Sequence, residues 1–240
     1  MTDHWFEDVA SELGESYLKY SFTKGTENEV EFLVSQLGLQ PGDRVLDVGC
    51  GPGRHAIALA ERGIHVVGVD IAQTFIDLAN ENAPALATFL RMDARQLPFE
   101  SEFDAVISLC QGAFGLSGGG TETRLDPDAF VLAGMARALK PSGVLALSAF
   151  SAYFQIRWLE EFDEFDVEAG VNHERTILRT PQGQEVEKDL WTTCFTPREL
   201  RLLAERAGLT PLHIWSVTPG DYAARTPELD RPEFLLIARR

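Results

Sequence analysis

Arg44-Val45-Leu46-Asp47-Val48-Gly49-Cys50-Gly51-Pro52-Gly53-Arg54-His55 is the stretch that decides the fold. Its apolar start reads as a strand, its three glycines as a tight turn, and the run Ala56 to Arg62 behind them as a helix stopped by Gly63. Glycines at alternate positions leave the backbone N–H groups of the turn uncovered by any Cβ, and a helix N-terminus adds partial positive charge at the same place. Strand, glycine turn and helix in this order make a ligand cradle of the open α/β type, and a nucleoside is its expected occupant.

The spelling of the turn selects among nucleosides. Dinucleotide enzymes use G-x-G-x-x-G, but counting from Gly49 the place of the third glycine holds Arg54, while a glycine comes one position early at Gly53. Asp47 stands two residues before the first glycine, where its carboxylate would repel a pyrophosphate and attract a cation.

Outward from the turn, strands and helices alternate. Asn28 to Leu39 carries apolar residues at three-and-four spacing and is stopped by Pro41-Gly42-Asp43. After the glycine turn come a strand over Ile64 to Asp70, a helix over Gln73 to Asn82 and a strand over Thr88 to Leu90. A fourth strand spans Phe103 to Leu109, a helix opens at Asp126-Pro127 and runs to Lys140, and a fifth strand covers Val144 to Phe150. Residues 151–195 hold a helical piece through Trp158 and two extended runs, Asn172 to Thr180 and Gln184 to Phe195, joined by Pro181-Gln182-Gly183 as a hairpin. Thr196-Pro197-Arg198-Glu199 opens a helix with a capping box, Gly208 ends it, and strands over Leu212 to Val217 and Glu233 to Ala238 close the sheet. The expected fold is α/β: a doubly wound, mostly parallel seven-stranded sheet with helices on both faces, plus helical N-terminal and β-hairpin lid elements. One domain is expected over 1–240, divided into a helical cover (1–40), a cofactor-binding core (41–150), a hairpin insertion (151–195) and a C-terminal helix with strands (196–240).

Val45 to Gly53 resembles motif I of the class I S-adenosylmethionine-dependent methyltransferases, whose sheet is Rossmann-like, and further stations follow in order. Ile64-His65-Val66-Val67-Gly68-Val69-Asp70 ends in an acid, Arg91-Met92-Asp93-Ala94 forms an acidic turn, and Phe103 to Leu109 resembles the fourth-strand motif. The resemblance implies S-adenosyl-L-methionine as cofactor, with Asp70 on the ribose hydroxyls, Asp93 and Ala94 at the adenine, and Asp47 organising the methionine amino end. It extends the cofactor set to Gly49, Cys50, Gly51, Gly53, Ile71, Leu109 and Tyr20, the last covering the methionyl end. Gln111, His173 and Trp191 are the candidate acceptor contacts. No catalytic residue is assigned, and no metal is expected, because Cys50, Cys110 and Cys194 are widely spaced and form no C-x-x-C pair.

Charge narrows the acceptor. The chain has 37 acids against 21 bases, a formal charge of −16, and no dense basic run, so nucleic acid is not an expected partner. After the fourth strand, Leu109-Cys110-Gln111-Gly112 lacks the Asp/Asn-Pro-Pro-aromatic sequence of enzymes that methylate bases or protein amides. A small-molecule acceptor is expected. No apolar run reaches the length of a membrane span, and Met1-Thr2-Asp3-His4 starts no basic-then-apolar leader, so no membrane partner and a cytoplasmic location are expected. The oligomeric state is not legible. Two other classes fit the same turn: a non-catalytic S-adenosylmethionine-binding partner and, less well, a nicotinamide oxidoreductase.

Overall fold

The structure is a computed structural model that describes residues 4–110, 112–116 and 127–240. Gln111 and the helix-opening Asp126 lie outside the described residues. In chain order the elements are α1 (Trp5–Leu13), α2 (Thr26–Leu37), β1 (Arg44–Val48), α3 (Arg54–Ala60), β2 (His65–Asp70), α4 (Gln73–Glu81), β3 (Ala87–Arg91) and β4 (Phe103–Ser108). There follow α5 (Pro127–Ala138), β5 (Leu139–Ser151), α6 (Ala152–Arg157), β6 (Glu164–Asp166), β7 (Val171–Arg179), β8 (Glu185–Phe195), α7 (Pro197–Arg206), β9 (Thr210–Val217) and β10 (Glu233–Arg239).

The main sheet has the order β3-β2-β1-β4-β5-β10-β9. Its first five strands are parallel, and β10 runs antiparallel to both neighbours. Parallel strands need crossovers, and α3 and α4 supply them between β1, β2 and β3, while α5 connects β4 to β5. Alternate residues of the central strands feed two cores. Leu46, Val48, Val106, Leu145 and Leu147 pack with Met135 of α5 and Leu200 of α7, whereas Val45, Ala105, Ile107 and Ala146 pack with Leu33 of α2 and Leu59 of α3. Both faces are therefore buried, as continuous apolar strands require, and each large side chain removed from water contributes about 1.5–3 kcal/mol.

β5 also pairs in parallel with β8, through Phe150 with Cys194 and Ser151 with Phe195, and so hands the sheet on to the antiparallel strands β8, β7 and β6. The N-terminal helix lies against this hairpin. Val9 and Leu13 of α1 meet Leu178 of β7, with Trp5, Tyr20 and Leu190 around them, and the Trp5 indole donates to the Leu116 carbonyl at 3.1 Å. α7 begins with the expected capping box on Thr196 and Glu199.

The junction of α5 and β5 departs most from the sequence reading. The helix that should reach Lys140 stops at Ala138, because Leu139 already pairs with Phe103 and the Lys140 ammonium is held 2.8 Å from the Asp104 carboxylate, making both residues the start of β5. The fifth strand consequently begins five residues before Val144, with Ser142 at φ 68° marking its bend. The short strand β6 carries no alternating pattern and was not expected; its register comes from pairing with β7.

Candidate cofactor and acceptor site

Everything at the site is built on the turn after β1. Gly49, Gly51 and Gly53 have φ of 75°, 54° and 84°, a region that L side chains rarely adopt. Gly49 is required for a second reason: a Cβ there would stand 2.0 Å from the carbonyl carbon of Gly112, in the turn after β4. The turn is tied to β2 by Gly49 N–H and Cys50 N–H, which donate to the Val69 carbonyl at 2.7 and 3.0 Å. Gly51 N–H donates to Asp70 Oδ2 at 2.9 Å, and Ala72 N–H donates to Asp70 Oδ1 at 2.8 Å. Asp70 thus joins the end of β2 to the glycine turn and to the start of α4.

Two buried carboxylates face this turn region without a full set of opposing charges. Asp47 is fully buried, and its Oδ2 accepts no hydrogen bond. Burial pushes its carboxyl up to about 7, the Asp70 charge adds to this, and the Arg54 guanidinium opposes it. Burial likewise raises Asp70 to about 6 against the pull of its backbone N–H donors. Asp93 behaves differently. Burial would raise it, but Arg95 binds it as a fork, with Nε 2.9 Å from Oδ1 and a terminal nitrogen 2.7 Å from Oδ2, and the net shift is downward.

A cleft opens at the carboxyl ends of β1, β2 and β4, where open α/β sheets bind ligands. It brings together five of the expected residues: Gly49, Asp70, Ile71, Asp93 and Ala94. Beside them stand residues the sequence did not single out, His4 and Phe6 from the N-terminus, Met92, Arg95 and Leu116. Arg95 follows Asp93 by two residues in an Asx-type turn, a pattern that was available in the sequence; His4 and Phe6 reach the cleft only through tertiary packing.

The remaining expected residues lie elsewhere. Asp47 sits beneath the turn, and Cys50 is buried with its thiol raised by desolvation. Leu109 belongs to the core on the α2 and α3 face. Tyr20 lies toward the hairpin, its hydroxyl accepting from Arg179 N–H at 3.4 Å, while Tyr17 is the tyrosine whose ring comes to 4.0 Å from a Cβ built on Gly51. His173 and Trp191 stack on each other at 4.8 Å on the hairpin, Trp191 meets Trp5 edge-on at 5.7 Å, and His173 Nε2 lies 2.7 Å from Asp189 Oδ1.

Behind the turn, Glu29 of α2 is enclosed by Arg54, by His55 Nε2 at 2.7 Å and by Gly220 N–H at 2.8 Å. Burial would raise the Glu29 carboxyl, yet the bonds from His55 and Arg54 hold it down at about 2. Glu29, His55 and Cys110 place one ligand atom each within 4.8 Å of one another, a donor set of the kind that holds a divalent ion. Arg54 already bridges this group, bonded to Glu29 and 2.8 Å from the Cys110 sulfur.

The cradle suits a nucleoside with a cationic amino-acid tail. Asp47 offers an orphaned carboxylate oxygen under a turn that no Cβ could share. Asp70 uses one acceptor site on each oxygen for the backbone and keeps further lone pairs for hydroxyl groups. These features define a nucleoside-binding protein of the doubly wound class.

Comparison with known proteins carries this further. The family model described as a methyltransferase domain matches residues 45–143. The cypemycin N-terminal methyltransferase of a Streptomyces species is 30% identical over 209 residues, covering 78% of this chain and 81% of that protein. An uncharacterized methyltransferase of Synechocystis is 34% identical over 127 residues, 51% of this chain and 54% of its own. The chain spans about half the length of the first curated relatives it matches. Among solved structures, the CcbJ methyltransferase of Streptomyces caelestis superposes with a TM-score of 0.79 at 19% identity, covering 98% of both chains. This chain belongs to the class I S-adenosylmethionine-dependent methyltransferase family.

Proposed function

We propose that this protein transfers a methyl group from S-adenosylmethionine to a small-molecule acceptor, acting as one unit over residues 1–240 in the cytoplasm. The observation that carries the reading is the convergence of Gly49, Asp70, Ile71, Asp93 and Ala94 on one cleft at the carboxyl edge of the sheet. When bound, the cofactor supplies an electrophilic methyl group on a sulfonium centre. Asp47 holds the ammonium of its tail, Asp70 the two ribose hydroxyls, and Asp93 with Ala94 the adenine edge. Gly49, Cys50, Gly51 and Gly53 give the backbone surface of the cradle and Ile71 its wall, with Leu109 standing behind it in the core and Tyr20 on the hairpin side.

What remains for the protein is alignment and exclusion of water. Trp191 and His173 on the hairpin, with Gln111 after β4, are the acceptor contacts of this reading. Fold neighbours with small acceptors of differing identity support this reading: one is an amino pentose methyltransferase, 22% identical with a TM-score of 0.63, and another is a 1,6-didemethyltoxoflavin-N1-methyltransferase. No helix among the described residues is long and apolar enough to cross a membrane.

Two measurements test this. S-adenosylhomocysteine should raise the melting temperature while NADH should not, since a ligand stabilises only the state that binds it. Methyl-labelled S-adenosylmethionine supplied with a fractionated metabolite extract should then label one acceptor, detected by mass spectrometry. Label in no fraction, with the melting shift retained, would leave a binding protein without turnover.

A further inference from the structure

Between β5 and β7 the chain leaves large apolar side chains in water. Tyr153 and Ile156 of α6, then Trp158, Leu159, Phe162 and Val167, are all exposed, Trp158 by 56% and Phe162 by 74%. Scattered exposed apolar residues are ordinary, but six within one short segment form the kind of surface that marks an interaction site. The same segment is acidic. Glu160, Glu161, Asp163, Glu164, Asp166 and Glu168 fall within it, and no Lys or Arg occurs between Arg157 and Arg175.

The two flanking bases pair with carboxylates outside the six, Arg157 lying 3.1 Å from Asp230 while its guanidinium also sits over the Trp158 ring at 5.8 Å, and Arg175 lying 3.7 Å from Asp189. Among the described residues, the one basic side chain within ion-pair distance of these six acids is His173, 4.0 Å from Glu164. The acids also converge on β7: burial raises the Glu174 carboxyl, and the charges of Asp163 and Glu160 raise it further. Asp163 and Asp166 additionally brace turns, accepting from Glu160 N–H at 3.2 Å and from Glu168 N–H at 2.9 Å.

We infer that the face formed by residues 153–168 docks a polypeptide segment carrying both basic and apolar side chains. Charge decides the occupant. A second copy of this chain would bring the same six carboxylates against their equivalents, and nucleic acid or an anionic lipid surface would add more negative charge. A neutral apolar partner would bury the carboxylates without counter-ions, which is strongly unfavourable. A basic, apolar segment satisfies both components at once, with complementarity that speeds encounter and fixes register. The face lies outside the cofactor cleft, and the inference does not rest on methyl transfer.

The test uses the full chain and a fluorescently labelled amphipathic Lys/Leu peptide, followed by anisotropy, with a Glu/Leu peptide of equal length as control. The Lys/Leu peptide should bind, more weakly as salt rises, and the Glu/Leu peptide should not. The double variants Glu160→Lys/Glu161→Lys and Trp158→Ser/Phe162→Ser should each weaken binding by at least about ten-fold. Both change exposed side chains, and an unaltered far-UV spectrum with a retained melting shift on S-adenosylhomocysteine would certify their fold. Absence of binding, equal binding of the Glu/Leu peptide, or affinity unchanged in either folded variant would overturn the inference. So would a concentration-dependent dimer in sedimentation that Trp158→Ser/Phe162→Ser abolishes, because the face would then belong to a second copy.

Discussion

Replacing Asp47 with asparagine should reveal whether its buried carboxylate is maintained for a ligand or for the fold. In the folded protein the carboxyl titrates at about 7, against 3.8 when unperturbed. Between those values the folded state holds a proton that the unfolded chain has released, so this group's contribution to stability falls as pH rises through the window and levels off above pH 7. Each pH unit is worth about 1.4 kcal/mol, and two units of the window lie between pH 5 and the folded value. Asparagine has no such titration. Relative to the wild type, the Asp47→Asn protein should therefore gain about 3 kcal/mol between pH 5 and pH 8, whatever constant offset the buried amide introduces. Urea denaturation at several pH values measures that gain. S-adenosylhomocysteine affinity, read by calorimetry at pH 8, should drop by about 1.5–3 kcal/mol, the range for hydrogen bonds to a charged group. A stability difference that does not vary with pH, or an affinity equal to the wild type, would refute the reasoning.

Calorimetry in buffers of different ionisation enthalpy near pH 6.5 should show proton release on S-adenosylhomocysteine binding, because a cationic tail beside Asp47 lowers a pKa that burial had raised; buffer-independent heats would contradict this. Gly49→Ala should lower the melting temperature and abolish the ligand-induced shift. A Cβ at φ 75° costs about 1–2 kcal/mol by itself, and the 2.0 Å approach to Gly112 forces the two turns apart. Glu29→Gln should destabilise by about 3–5 kcal/mol at pH 7, since Arg54 would keep a buried charge without its partner. The Glu29 contribution is present above its unperturbed value of 4.5 and is lost as pH falls toward 2, so the deficit should shrink in urea titrations at pH 3. Asp70→Ala should weaken ribose binding by about 1–3 kcal/mol, and an unchanged calorimetric affinity would remove Asp70 from that role.

The core was legible because its elements are locally determined. β1, β2 and β4 are apolar runs buried on both faces, and glycine turns, prolines and the Thr196 capping box punctuate them. The hairpin was legible too, from two extended runs around Pro181-Gln182-Gly183. The start of β5 was not. Leu139 and Lys140 continue a helical pattern in sequence, and only Phe103 and Asp104 across the sheet make them strand. At the site, residues that sit on motif turns could be named from the sequence, Asp70 from its spacing behind the glycine turn together with the family resemblance and Asp93 from that resemblance. His4 and Phe6 could not, since they arrive at the cleft because α1 is held by Phe75 and the hairpin. The Glu29, Arg54 and His55 group illustrates the same limit: its members come from two helices, and the carboxylate is closed off by Gly220, which lies 191 positions along the chain.

The handover at Phe150 and Ser151 has an evolutionary consequence. Those two positions share their backbone ladder with β8 on one side, and Phe150 pairs with β10 on the other, so the strand pairing between the main sheet and the three outer strands is only two residue pairs long. Substitutions confined to β6, β7 and β8 can reshape that outer sheet while the ladder of β1 to β5 keeps its register.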